Sequence, residues 1–460
     1  MDAAKLKVFG QEHVLKFVEE LSSVERAELE SQLGEVNFEE LQQLAGTTTK
    51  AVDWSALAAK AEPPPAVKLE KPHPDFPAEK AREVGEAALR AGKVGMILVA
   101  GGQGTRLGFD KPKGMFPIGP VSGRTLFQVH CDRLLAVMKR YGVSIPLYVM
   151  TSPATDAVTK EYFEANDRCG LSEEQLRVFC QGTMPAVDQA TGKLLLATKN
   201  SLALSPDGHG GLVAALDKSG CLAAAKEAGI EYFFYGQVDN PLVQSCDPEL
   251  IGYHILAKSQ VTTQVVQKRF AREKVGNVVS IDGSVQIIEY SDLPDSAAEQ
   301  TNADGSLKLW AGNIAVHVFD REFLESVVGS VSGLPFHLAH KKVPYVDDVG
   351  QNVQPESPNA IKFERFVFDL LPLAERAFVV EGDPAKVFAP VKNAPGAEVD
   401  TAETSKVAQL AMFKGWLTAA GACIGEGVQV EIHPGWALDS QEVASKVDAG
   451  LEFVTDTYLR

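Results

Sequence analysis

The stretch Val94-Gly95-Met96-Ile97-Leu98-Val99-Ala100, followed at once by Gly101-Gly102-Gln103-Gly104-Thr105-Arg106-Leu107-Gly108, decides how the rest of the chain is read. Seven apolar or small residues with no alternation suit a strand covered on both faces. The glycines that follow let the backbone come close to a phosphate chain, whose oxygens successive N–H groups can cradle. A tight turn that needs positive φ would also use glycine. Arg106, Lys111 and Lys113 add fixed positive charge within a dozen residues and favour the phosphate reading.

Working outward, strand, loop and helix alternate. Phe127, Cys131, Leu134, Leu135 and Met138 share one face of a helix opening near Thr125. Strands are expected at 145–150, 177–180, 231–238 and 261–268, with helices near 155–166 and 247–258. This rhythm predicts a mostly parallel sheet with helices on both sides. Further β-rich runs lie at 275–281, 285–290 and 314–319. Ahead of the first strand, residues 1–62 read as helices, with Val14, Val18 and Leu21 as one apolar stripe and Phe38, Leu41 and Leu44 as another. Pro63-Pro64-Pro65, Pro72, Pro74 and Pro77 then mark an extended connector, because proline cannot occupy helix interiors. A helix after 401 and a short β-like stretch at 423–436 read as a small appendage. The expected division is 1–90, 91–400 and 401–460.

The formal net charge of −17 argues against a nucleic-acid surface and against an anionic membrane. No apolar run approaches the ~20 residues of a membrane helix. Six scattered cysteines without a CxxC pair suit reduced thiols in a cytoplasmic protein. The loop lacks the GxxxxGK[ST] order of a kinase-type P-loop. Its glycine spacing at 102, 104 and 108 departs from the dinucleotide fingerprint, and Met150-Thr151 brings no carboxylate for a ribose.

Ala100–Gly108 together with Pro112-Lys113-Gly114 resembles the signature of sugar nucleotidyltransferases, and more narrowly the eukaryote-type UDP-N-acetylhexosamine pyrophosphorylases. The resemblance runs in order through Thr125-Leu126-Phe127-Gln128, Gln181-Gly182, Pro206-Asp207-Gly208-His209-Gly210-Gly211, Val238-Asp239-Asn240, Glu289-Tyr290-Ser291, Ala311-Gly312-Asn313-Ile314, Phe366-Val367-Phe368-Asp369 and Lys392-Asn393-Ala394. It implies an α/β fold: a Rossmann-like (GT-A-like) nucleotidyltransferase domain with a mixed, mostly parallel sheet, a helical N-terminal region and a small C-terminal domain. The implied reaction joins UTP and N-acetylglucosamine 1-phosphate to give UDP-N-acetylglucosamine and pyrophosphate. A sugar-phosphate oxygen attacks the α-phosphorus, so charge neutralisation and alignment carry the catalysis and no covalent nucleophile is needed.

On this resemblance Arg106 and Lys113 grip the triphosphate, and Lys392 reaches the phosphate of the sugar. Asp239, at the carboxyl end of an apolar strand, is expected to hold Mg²⁺, which favours one or two carboxylates plus phosphate oxygens. Ala100, Gly101, Gly102, Gln181 and Gly208 are expected around the nucleotide. His209, Gly276, Glu289 and Asn313 are expected around the sugar, with Phe366 and Phe368 walling its acetamido methyl; by spacing alone the two phenylalanines read equally as core. His209 stands where the acetylhexosamine enzymes usually carry Asn, whereas the UDP-glucose type usually has Gly-His-Gly-Asp there. UTP–glucose-1-phosphate or broad UDP-sugar pyrophosphorylase activity is therefore the alternative. A non-catalytic UDP-sugar-binding protein is a further one, although binding alone would not require the whole set Arg106, Lys113 and Asp239.

Overall fold

A computed structural model describes residues 3–46, 53–71, 73–328 and 334–460. Pro72 and residues 47–52 of the expected helical region lie outside these. Packing groups the chain into two compact units, each built from three separated segments. The first comprises Met1–Trp54, Gln181–Ala214 and Ser330–Asp369; the second comprises Ser55–Cys180, Ala215–Gly329 and Leu370–Arg460. This grouping cuts across the sequential regions 1–90, 91–400 and 401–460.

The second unit holds a ten-stranded sheet. Its strands are β1 (Ala66–Val67), β2 (Val94–Val99), β3 (Leu147–Thr151), β4 (Leu176–Cys180), β5 (Tyr232–Gln237), β6 (Val261–Gln267), β7 (Asn277–Ile281), β8 (Ser284–Ile288), β9 (Ala311–Asp320) and β10 (Ala377–Glu381). The spatial order is β1-β10-β6-β9-β5-β2-β3-β4, with the β7–β8 hairpin joined through β9. β9 runs antiparallel to both its neighbours β5 and β6. The other neighbours along this path are parallel. The mixed, mostly parallel sheet is the expected one. Met96, Ile97 and Leu98 are fully buried, as a two-sided strand requires. The connector is not structureless: Ala66–Val67 adds the parallel edge strand beside β10.

Local chemistry sets the flanking helices. The Leu126–Tyr141 helix begins with a Thr125–Gln128 capping box and stops at Gly142 in the left-handed conformation. Asp247 caps Pro248–Leu256 by accepting from the Glu249 N–H, with proline at the first helical position. After Ala402–Ala419 the chain pairs Cys423–Ile424 with Glu452–Phe453 and Val430–Ile432 with Thr457–Leu459, both parallel. This segment has its own apolar cluster around Phe413, Leu417 and Ile432.

In the first unit the helix Phe38–Gly46 forms where expected. The stripe Val14, Val18 and Leu21 does not form a helix; it falls on two 3₁₀ turns, Glu12–Leu15 and Val18–Glu20. The reason is tertiary. Gln11 accepts from the Leu194 N–H at 2.9 Å and donates to the Gly192 carbonyl, and His13 bonds the Leu194 carbonyl at 2.8 Å. Val14 is nonetheless fully buried in a core shared with Leu194, Leu202 and Phe363.

Candidate active site

In the second unit, β2 runs into the glycine loop. Ala100 donates to the Met150 carbonyl at 2.7 Å, fixing where the strand ends. The next two carbonyls are held by protein: Gly101 O accepts from the Ser152 hydroxyl at 2.7 Å and Gly102 O from the Lys113 N–H at 3.0 Å. The N–H groups of Gly101, Gly102 and Gln103 have no internal partner among the described residues. A row of free amides with its carbonyls tied back is an anion cradle. Glycine is required at 104, where a Cβ would come within 2.7 Å of Phe109, and at 108, where φ is 69°. At Gly102 a Cβ would meet nothing nearer than the Lys113 Cε, at 3.9 Å. Arg106 is exposed on the following 3₁₀ turn and makes no ion pair among the described residues. A guanidinium without a protein partner suits a phosphate ligand.

At the carboxyl end of β5, Val238 donates to the Val99 carbonyl and so carries Asp239 to the edge of the loop. Asp239 Oδ2 accepts from Lys113 Nζ at 3.1 Å. Burial pushes the carboxyl up, but the Lys113 and Lys392 cations and the Lys113 hydrogen bond override it and hold Asp239 below the ordinary carboxylate value. Asp239 therefore caps no helix; it is the buried anion between two lysines. The Lys392 main chain is brought there by Asn240, which sequence reasoning left without a role. Asn240 Nδ2 donates to the Val387 carbonyl at 2.8 Å, and its Oδ1 accepts from the Ala389 N–H at 3.0 Å. The Val391 N–H in turn donates to the Asp239 carbonyl at 2.8 Å. Beyond it, the Asp400 carbonyl accepts from the Lys392 and Asn393 N–H groups, and burial raises the Asp400 carboxyl despite Lys392 and Arg269 nearby.

Gly276, Glu289 and Asn313 come together on the β7–β8–β9 side of the same unit. Gly276 O accepts from the Asn313 N–H at 2.8 Å, and a Cβ on Gly276 would stand 3.1 Å from Glu289 Oε1 and 3.6 Å from Asn313 Cβ. A bulge in β9 aims Asn313: pairing with β6 shifts between Gln264 and Val265, and Ala315 takes φ 55° with its N–H on Asn313 Oδ1. Asn313 Nδ2 stays available among the described residues.

The first unit holds the remaining expected residues. Gly208 has φ 81°, and a Cβ there would stand 2.3 Å from the Arg365 carbonyl. Gly210 donates to that same carbonyl, while Arg365 donates its own N–H to the Asp207 carbonyl. Gln181 Nε2 donates to Asp207 Oδ1 and the Gly208 carbonyl, both at 3.3 Å, which leaves its Oε1 as the free end of the amide among the described residues. Burial raises the Asp207 carboxyl, against the Gln181 hydrogen bond and the Arg365 charge. His209 Nδ1 accepts the Val367 N–H at 3.0 Å, so the ring's own proton sits on Nε2. Burial first, and His337 second, push His209 down to about 4, and the ring is neutral at physiological pH. Phe366 and Phe368 are not alternate residues of a strand; they pack against His209, Phe366 tilted and Phe368 edge-on, with centroids at 5.2 and 5.7 Å. His337 completes this aromatic wall at 4.3 Å from Phe366, with its Nε2 bonded to Asp369 at 2.9 Å. No local motif marks His337, and sequence reasoning missed it.

Among the described residues no three His, Cys, Asp or Glu side chains converge as a metal cage. All six cysteines are free thiols. No helix among the described residues is long and apolar enough to cross a membrane.

The chain has relatives among known proteins. The sequence pattern of the family described as UTP–glucose-1-phosphate uridylyltransferase matches residues 37–403. UDP-N-acetylglucosamine pyrophosphorylase of Saccharomyces cerevisiae is 39% identical over 357 residues, covering 76% of this chain and 75% of that protein. UDP-N-acetylhexosamine pyrophosphorylase-like protein 1 of Homo sapiens is 37% identical over 433 residues, covering 91% and 85%. Among solved structures, the uridine diphosphate N-acetylglucosamine pyrophosphorylase of Trypanosoma brucei, in complex with an inhibitor, superposes with a TM-score of 0.81 at 28% identity, covering 96% of this chain and 93% of that one. Since the pattern spans most of the sequence, the chain belongs to the UTP–glucose-1-phosphate uridylyltransferase family, in the company of the eukaryotic UDP-N-acetylhexosamine pyrophosphorylases.

Proposed function

We propose that this chain joins UTP to N-acetylglucosamine 1-phosphate, forming UDP-N-acetylglucosamine and pyrophosphate. The observation that carries the reading is the Lys113–Asp239–Lys392 cluster beside a loop with three amides free of partners among the described residues. Both substrates are anions, and their approach needs fixed positive charge that costs no reorganisation when the reaction occurs. The loop amides and Arg106 bind the triphosphate tail. Lys113 offsets charge on the departing pyrophosphate, and Lys392 orients the sugar phosphate for attack on the α-phosphorus. No proton needs removing from a phosphate oxygen at neutral pH, which agrees with a neutral His209 that serves as a hydrogen-bond donor through Nε2.

The residues present fit Mg²⁺. Asp239 is a charged, buried carboxylate at a strand end, and one carboxylate with phosphate oxygens and water is an ordinary magnesium set. When bound, the ion would neutralise phosphate charge. Lys113 holds the Asp239 carboxylate in place, and Val391 anchors its main chain.

Gln181 Oε1 can accept the imide N–H of uracil, since the other end of that amide is committed. Asn313 Nδ2 and Glu289 suit sugar hydroxyls, and the Phe366–Phe368–His209 wall suits an acetamido methyl. A cytoplasmic location belongs to the same reading and rests on the six thiols. Pyrophosphate release with UTP and a panel of hexose 1-phosphates tests it. N-acetylglucosamine 1-phosphate is expected to give the highest kcat/KM; a strong preference for glucose 1-phosphate would favour the alternative to which His209 points. UDP-sugar binding without turnover in the presence of Mg²⁺ would leave a binding protein.

A further inference from the structure

Arg133 lies in the middle of the Leu126–Tyr141 helix, on the second unit, and is 6% exposed. Its Nε and one terminal nitrogen are buried without any hydrogen-bond partner, and no carboxylate pairs with it among the described residues. Burial alone lowers its guanidinium to about 10. An unpaired buried cation is among the most costly features a fold can carry. Nothing in the anion loop or the Asp239 cluster uses it.

Arg133 lines a cleft of about 950 Å³ that includes none of the residues assigned to substrate. Ser245, also in its wall, is 2% exposed and has a buried hydroxyl without a partner among the described residues. Val137, Leu250 and Trp416 supply apolar wall, and Glu79, Glu381 and Asp383 supply acid. The other arginines of the cleft are engaged: Arg82 with Glu249 at 3.3 Å, and Arg140 with Asp439 at 2.7 Å.

We propose that this cleft is a binding site for a small metabolite bearing a single oxyanion, carboxylate or phosphate, gripped by Arg133 and Ser245. The surrounding acids set the rest of the ligand: a neutral or ammonium-bearing body is accepted, while a second anionic group beyond that one oxyanion is repelled. Triphosphate and pyrophosphate are therefore excluded, which separates this cleft from the glycine loop. Ser245 sits at the later end of the segment that starts with Asp239, so occupancy of the cleft meets the same loop as the substrate.

The test uses the full chain with Arg106→Ala, Lys111→Ala and Lys113→Ala combined, which strips the loop of cations. Thermal unfolding is followed at constant ionic strength with sodium phosphate, sodium acetate or sodium pyrophosphate replacing chloride. At 20 mM, phosphate or acetate is expected to raise the midpoint by about 2 °C or more, and pyrophosphate by less. The response is expected to vanish when Arg133→Met is added. Response to phosphate alone or to acetate alone tells which oxyanion the site takes. No response to either, or a response that survives Arg133→Met, overturns the proposal. Should Arg133→Met not fold, Arg133→Gln replaces it. Should neither fold, anomalous scattering from selenate diffused into crystals of the loop variant decides, since selenate away from Arg133 overturns the site.

Discussion

Two buried aspartates, Asp239 and Asp207, behave in opposite ways. Asp239 has two lysines around it and is held below its ordinary value; Asp207 has a neutral glutamine and a more distant arginine, and burial raises it. The contrast teaches that depth alone does not mark a reactive carboxylate. Asp239 is kept charged in a setting where phosphate and cation chemistry can use the charge. Asp207 shapes a turn: a Cβ on Gly211 would stand 2.3 Å from its carboxylate, and its carbonyl anchors Arg365.

Substitution breaks the comparison most sharply on the Asp239 side. Asp239→Ala is expected to abolish Mg²⁺-dependent turnover, and Arg106→Ala to cut kcat by about 10²–10³-fold with the fold intact, the usual cost of losing one preorganised charge or donor. Pyrophosphate release during magnesium titration, with circular dichroism as the folding control, measures both. Near-normal turnover in a folded Arg106→Ala chain would remove that residue from the mechanism.

A smaller effect belongs to the aromatic wall of the first unit. Phe366→Ala is expected to lower kcat/KM for N-acetylglucosamine 1-phosphate about tenfold, with glucose 1-phosphate much less affected, because a hydrophobic pocket discriminates a small apolar group by about 1–3 kcal/mol. Equal losses for both sugars would make Phe366 a core residue only.

The smallest effect tests Asp207. Its raised carboxyl means the folded state holds the proton more tightly than the unfolded chain does. The associated penalty is absent below the ordinary value of 3.8 and grows as pH rises through the folded value. Asp207→Asn is therefore expected to raise the unfolding midpoint at pH 7 by less than about 3 °C, with the gain fading toward pH 3–4. A large loss at pH 7 would show that the negative charge, not the shape, holds the turn.

Much of this was legible in the residues wherever the cause is local. The uniform apolar run of β2, the Thr125–Gln128 box and the Asp247-Pro248 start each specify their own neighbourhood, and the structure has them within a residue or two. The failures have distant causes. Val14, Val18 and Leu21 carry helical spacing, but Gln11 and His13 tie that segment to residues some 180 positions later. His337 and Asn240 acquire their roles from partners that no spacing rule connects to them. The same holds for the grouping of the chain into units whose segments are far apart in sequence.

The Asn240 staple also joins two distant stretches of the chain. Asp239 and Lys113 are brought together by strands and loop that are complete early in the chain, whereas Lys392 is delivered by a segment about 150 residues further on. A chain ended before residue 387 would carry the glycine loop, Lys113 and Asp239 but neither the staple nor the second lysine. Residues 387–391 are thus the clasp that fastens the second lysine beside Asp239.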